Sequence, residues 1–208
     1  MINYEGKTNF KPQQSVSVDT LPAGAYVGKI LGAKIETINT RDGNSFDRLV
    51  LQMDVTEGEY AGHFKKQYEA QKGGQYEAKF KGIMRLTVPV AGSQYEAGNK
   101  RAFENLAWCL EQSNKGYHWD WDETKLKGLN IGFSVRERDW MMEQYGVINS
   151  GTTTEIARIE SVQEVRDGKV KPMKKRGLSD ADKKKLEQSE TASADFAATV
   201  VEDEELPF

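Results

Sequence analysis

Aromatic and cationic residues in this 208-residue chain fall into groups that suit one kind of chemistry. Tyr60, Phe64 and Tyr68 recur every fourth residue, with Lys65, Lys66 and Lys72 among or just after them and Arg41 and Arg48 upstream. A second group sets Trp140 just after Arg136 and Arg138. Flat rings that stack on unpaired bases, beside cations that track phosphates, are what single-strand nucleic-acid binding requires, at about 1–3 kcal/mol per stacked base. Each ring also has a packing alternative, strongest for Phe64 and Phe133, and single cations suit any solvated surface. Trp119 and Trp121 alternate with His118, Asp120 and Asp122, acids that repel phosphate.

Signals for covalent or metal chemistry are weaker. Gly24 to Lys29 reads G-x-x-x-G-K, one residue short of a phosphate loop, and Ile30 stands where a Ser or Thr should hold magnesium. One cysteine and two histidines, His63 and His118, argue against a Cys/His zinc site. The lone Cys109 permits no internal disulfide and fits a reducing cytoplasm. It lies beside the apolar stripe of an expected helix and reads as core rather than nucleophile. Asp120, Asp122, Glu123 and Lys125 gather carboxylates and a lysine in the manner of a magnesium-dependent nuclease, which is the enzymatic alternative. The expectation is a binding protein with no catalytic residue, cofactor or metal.

The net charge of −3 hides a polarity. Residues 1–176 hold 26 Lys and Arg against 23 Asp and Glu, whereas residues 177–208 hold 3 against 9. A mildly basic body therefore carries an acidic tail. With 38% hydrophobic residues the body can bury a core. No apolar run reaches membrane-spanning length, and the N-terminus lacks a secretory pattern. Both point to a cytoplasmic protein.

The elements that must position these residues are legible in outline. Residues 1–20 read as an arm and 21–170 as the folded domain. Gly24 to Ile38 forms a long strand whose Gly28 and Gly32 suit a strong bend, and Arg41 to Ser45 is a turn. Leu49, Leu51, Met53 and Val55 alternate with polar residues, which predicts a second strand with one buried face. Glu57-Gly58-Glu59 turns the chain, and Tyr60 to Tyr68 returns as a third strand with the three rings on one side. Residues near 70–98 read as an insertion, in which Ile83 to Val90 is strand-like but limited to an edge by Pro89. Asn99 to Asn114 is a helix with Phe103, Leu106, Ala107 and Leu110 on its apolar stripe. Leu129 to Arg138 and Thr152 to Val165 complete the strands. Three strands, one helix and two further strands predict a mainly β fold, a five-stranded OB-type barrel. Residues 171–208 then make a basic hinge and a tail too poor in apolar surface to order.

The chain ends Glu202-Asp203-Glu204-Glu205-Leu206-Pro207-Phe208. An acidic run closed by Pro-Phe resembles the tail of bacterial and phage single-stranded DNA-binding proteins. Short matches in the body, Gly24-Ala25-Tyr26 and Glu57 to Gly62, are similar to phage-encoded OB-fold members. The resemblance implies that Phe208 docks in an apolar pocket of a partner while Glu202 to Glu205 contact a basic rim, an aromatic anchor with charges that set encounter. The implied partners are single-stranded DNA and replication or recombination proteins: a polymerase, helicase, primase, exonuclease or annealing protein. It implies a role in DNA replication, recombination or repair and, for a phage source, the host cytoplasm. A homo-oligomer stays open, since bacterial members assemble and many phage members are monomers or dimers. The alternative outside both classes is an OB-fold adaptor that binds protein and no DNA.

Overall fold

The structure is a computed structural model that describes residues 20–72, 74, 77–144 and 147–189. Residues 1–19 of the expected arm and 190–208 of the expected tail, Glu202 to Phe208 included, lie outside them. Five strands form one antiparallel sheet: β1 (Gly24–Asn39), β2 (Ser45–Val55), β3 (Ile83–Thr87), β4 (Asn130–Gln144) and β5 (Val147–Glu160). Their order across the sheet is β3-β2-β1-β4-β5. Among the described residues four α-helices accompany them, α1 (His63–Gln71), α2 (Glu96–Ser113), α3 (Val162–Arg166) and α4 (180–189), with a short 3-10 helix at Glu123–Leu126. Among the described residues no helix is long and apolar enough to cross a membrane.

β1 is the axis of the sheet. Its start pairs with β4, from Gly24–Val135 to Lys29–Asn130, and the rest pairs with β2, from Gly28–Val55 to Asn39–Ser45. Among the β1 residues only Gly28 and Lys29 have partners on both sides, so the strand passes from one hairpin to the other over a very short overlap. Gly28 makes the close approach possible. A Cβ there would come within 2.6 Å of the Phe133 ring and would also strike the Asp54 carbonyl. A register shift between Ile30 and Gly32 adds a bulge, which bends and twists the strand. The edge strands β3 and β5 share no ladder, yet they touch each other and both touch α2. The sheet is open by its hydrogen bonds but strongly curled.

Curling gives the sheet an inner face. Ile30, Leu49, Leu51, Met53, Ile131 and Phe133 are buried there, and α2 adds Phe103, Leu106, Cys109 and Leu110. Each such side chain contributes about 1.5–3 kcal/mol on burial. The apolar stripe expected over 99–114 is thus the packed face of α2.

Two strand expectations are corrected. Tyr60 to Tyr68 is not a third strand; most of it is α1. Two turn glycines with positive φ, Gly58 at 77° and Gly62 at 73°, bring the chain round at the end of β2. The Asp54 carboxylate, 5% exposed, then accepts the Phe64 N–H at 2.9 Å and the Lys65 N–H at 3.0 Å. It supplies the cap that Gly62 cannot, satisfying helix-start donors that otherwise have no partner. The third strand is the Ile83 segment, inside the stretch expected to be an insertion; it is an edge strand, and it ends at Thr87, before Pro89. Likewise Val162 to Val165 leaves the last strand. Ser161 accepts the Glu164 N–H at 3.2 Å and caps α3.

The segment expected as a basic hinge meets the sheet at one point. Arg176 forms a parallel bridge with Arg138 on β4, where β1 has already turned away. Residues 180–189 are helical.

Replacing Asp54 by Ala should cost about 2 kcal/mol, the order expected for losing a cap and leaving buried N–H groups unpaired. Urea unfolding followed by circular dichroism measures it, and loss below about 0.5 kcal/mol would contradict this role for Asp54.

Candidate nucleic-acid interface

With Leu49, Leu51 and Met53 turned inward, the even residues of β2 face outward and the register fixes their neighbours. Arg48 lies between Glu36 of β1 and Thr87 of β3, Val50 between Lys34 and Arg85, and Gln52 between Gly32 and Ile83. Further along, Phe46 opposes Ile38, and the turn that carries exposed Arg41 closes the hairpin. Val50 is buried although it faces outward, and the long apolar stems of Lys34 and Arg85 suit that cover.

This face concentrates positive charge beside flat rings. The Arg48 guanidinium lies 5.4 Å from the centroid of the Phe46 ring. Lys34 Nζ pairs with Glu36 at 2.7 Å. That hydrogen bond, with the charges of Lys34, Arg85 and Arg48, holds the Glu36 carboxyl below the usual carboxylate range. Lys34 pairs with Glu36 directly, while Arg48 and Arg85 stand near it on the same face. At the Gln52 end the face opens into a groove lined by Ile83 and Arg85 from β3, Tyr68 from α1, and Lys79 and Phe80 from the loop between them. Tyr68 meets Phe80 edge-on at 6.1 Å, and Lys72 Nζ sits 4.8 Å from the centroid of the Tyr68 ring while pairing with Glu69 at 2.9 Å. The run from Ser45 to Gln52 is roughly 23 Å at a strand rise of about 3.3 Å per residue, long enough to follow several nucleotides.

The expected site residues divide accordingly. Arg41, Arg48, Tyr68 and Lys72 lie along this path. Phe64 does not: it is 7% exposed and packs against Phe133 at 6.4 Å and Phe80 at 6.2 Å, a core residue unable to stack on a base. Tyr60 stands after β2, edge-on to Tyr26 at 5.9 Å, away from the groove lining. Lys65 and Lys66 are exposed on α1 but do not line the groove; Lys66 Nζ donates to the Ala61 carbonyl at 2.9 Å. Arg136, Arg138 and Trp140 sit on the other hairpin, where β4 and β5 run on beyond β1. Sequence reading missed Lys34 and Arg85, which only cross-strand register brings beside Arg48, Lys79 and Phe80, which the loop before β3 carries to Tyr68, and Phe46, two residues before Arg48 on β2.

The carboxylates of the nuclease alternative are locally engaged. Lys125 Nζ bonds Asp120 and lies 3.6 Å from Asp122, and Asp122 Oδ1 accepts the Thr124 hydroxyl at 2.6 Å and its N–H at 3.0 Å. Among the described residues no group of three or more His, Cys, Asp or Glu is placed to hold a metal. Trp119 is buried and stacks on Phe103 at 6.0 Å. Trp121, 67% exposed, stacks on Trp119 at 4.9 Å. Burial, reinforced by the negative charges of Glu160 and Glu164, pushes the Cys109 thiol up to about 12.

No protein-family model matches the chain, and no curated protein aligns with it significantly. Function rests on the geometry of the chain itself.

Two outcomes follow from these electrostatics. Lys34→Ala should move the Glu36 titration midpoint upward, toward the ordinary carboxylate range, by more than Arg85→Ala does; side-chain NMR titration reads both, and an unmoved midpoint would contradict the cluster. Cys109 should resist a thiol reagent at pH 8 in the folded protein and react at once in denaturant, since the protonated, buried thiol is a poor nucleophile.

Proposed function

We propose that this protein binds single-stranded DNA along the outward face of β1, β2 and β3, as an OB-type domain. The observation that carries the reading is the cross-strand register that brings Lys34, Arg48 and Arg85 onto one outward face, continuous with the Tyr68–Phe80 groove. Cations at strand spacing suit successive phosphates, and the half-buried rings of Tyr68 and Phe80 beside them suit bases that are not paired. A duplex hides its base faces, so this arrangement favours single strands.

The strand order supports the OB assignment. An OB barrel opened between its third and fifth strands has the order β3-β2-β1-β4-β5, with a helix between strands three and four and ligands on the face of strands two and three. The added α1 between β2 and β3 departs from that plan and supplies Tyr68. The proposed role is to coat unpaired DNA during replication, recombination or repair, without catalysis. The terminal Glu202 to Phe208 would recruit partner enzymes, in line with its resemblance to bacterial and phage tails.

Titration of intrinsic tryptophan fluorescence with oligothymidine and with duplex DNA across a salt series tests the reading. Oligothymidine should bind more tightly, with log K falling against log salt at about 0.7 per phosphate neutralised. Equal affinity for both forms, or no binding at low salt, would sink it, and cleavage of the oligomer in magnesium would favour the nuclease.

A further inference from the structure

The β4–β5 hairpin carries a second cationic cluster, built in part by residues far away in sequence. On one of its faces Arg136 opposes Glu155, Arg138 opposes Thr153, and Trp140 opposes Gly151. Residues leading to Arg176 lie along the free edge of β4. The Arg176 N–H donates to the Glu137 carbonyl at 2.9 Å, and the Asp139 N–H donates to the Arg176 carbonyl at 2.8 Å. Neighbouring residues at this single bridge send their charges to different partners. Lys175 pairs with Asp139 at 2.7 Å, while Arg176, the bridge partner of Arg138, joins the arginine face.

Three guanidiniums thus surround one carboxylate. Arg136 bonds Glu155 Oε1 through Nε at 3.0 Å and Nη2 at 2.8 Å, and Arg138 Nη1 reaches Oε2 at 3.3 Å. Partial burial of the Glu155 carboxyl opposes ionisation, yet the hydrogen bonds and charges of Arg136 and Arg138 hold it below its usual range. Arg176 stands 3.7 Å from Oε1, within ion-pair range but beyond a hydrogen bond, and its side chain is 60% exposed. Its planar fork of donors therefore remains directed to solvent, where a phosphate oxygen can take it. Beside this cluster the Trp140 ring lies against the β5 backbone, 3.1 Å from where a Cβ on Gly151 would stand. A glycine at that position lets the indole lie flat.

We propose that residues 171–176 belong to the nucleic-acid interface: docked on β4, they add Arg176 to Arg136 and Arg138, and the three guanidiniums grip a phosphate of a single strand whose base stacks on Trp140. This rests on the single-strand reading above and extends it to a second patch. Glu155 keeps the guanidiniums together when no phosphate is bound. Bound DNA holds the 171–176 segment on β4, so it also fixes where the C-terminal part of the chain leaves the body.

Binding of a labelled oligothymidine to the full chain tests this with Arg176→Ala, whose exposed side chain can be removed without opening the core. The variant should unfold at the same temperature as the parent, bind about 3- to 10-fold more weakly at low salt, and lose about 0.7 from the salt slope, one phosphate contact. Arg176→Lys should recover the slope and only part of the affinity, since an ammonium lacks the fork. Lys115→Ala, an exposed lysine beyond α2, should leave the slope unchanged. Hydrogen exchange at the Arg176 and Asp139 amides should slow when oligothymidine is added. Parent affinity and slope in Arg176→Ala, with exchange unaltered by DNA, would overturn the subsite while leaving the single-strand reading intact. Failure of the parent chain to bind oligothymidine would overturn both.

Discussion

The bend of β1 at Gly28 is the constraint on which the architecture depends. One strand serves two hairpins, and it can do so because no side chain stands between the Phe133 ring and the β2 backbone at that point. The bend carries β2 and β3 to one side and β4 and β5 to the other, until the two edges meet over α2. An interior is thereby created for Leu49, Leu51 and Met53, and the alternate residues of β2 are forced outward. A strand with period-two alternation that turns one row toward the core turns the other away from it. The cationic face is the reverse side of the core.

Both candidate patches follow the same electrostatic plan. Glu36 stands among Lys34, Arg48 and Arg85, and Glu155 among Arg136, Arg138 and Arg176. Without an anion, cations so close would repel and splay apart. Glu155 contacts all three of its arginines, and Glu36 pairs with Lys34; each cluster keeps two positive charges in excess, which the proposed phosphate contacts would use. Half-exposed ion pairs of this kind contribute little to stability, on the order of 0–1 kcal/mol each. In the proposed reading they arrange donors before the ligand arrives. The modest overall charge of the body conceals this, because the excess is local.

Much of the fold was legible in the chain. Strict alternation at Leu49, Leu51, Met53 and Val55 marked β2, and the stripe Phe103, Leu106, Leu110 marked α2. The third strand was not legible, for a definite reason. Tyr60, Phe64 and Tyr68 are four residues apart, a spacing that keeps side chains on one face of a strand and nearly on one face of a helix. What decides between the two is the Asp54 cap, ten residues upstream of Phe64, and the passage of Gly82 beside the Phe64 ring. Neither is a local property. The outer parts of β4 and β5 escaped notice because neither face of that hairpin is deeply buried, so no alternation marks it. Arg48, Tyr68 and Lys72 stood out by composition, whereas Lys34 and Arg85 could be placed beside them only through cross-strand register. The partnership of Arg176 with Arg138 spans 38 positions of the numbering and leaves no local signal.

Residue-resolved NMR of the amides during titration with oligothymidine tests the central claim most directly. The account predicts the largest shifts at Arg48, Val50, Gln52 and Arg85, extending to Tyr68 and Phe80, with little change on α2. Shifts confined to α2 and the Trp119–Trp121 stack, with the β2–β3 face silent, would contradict it.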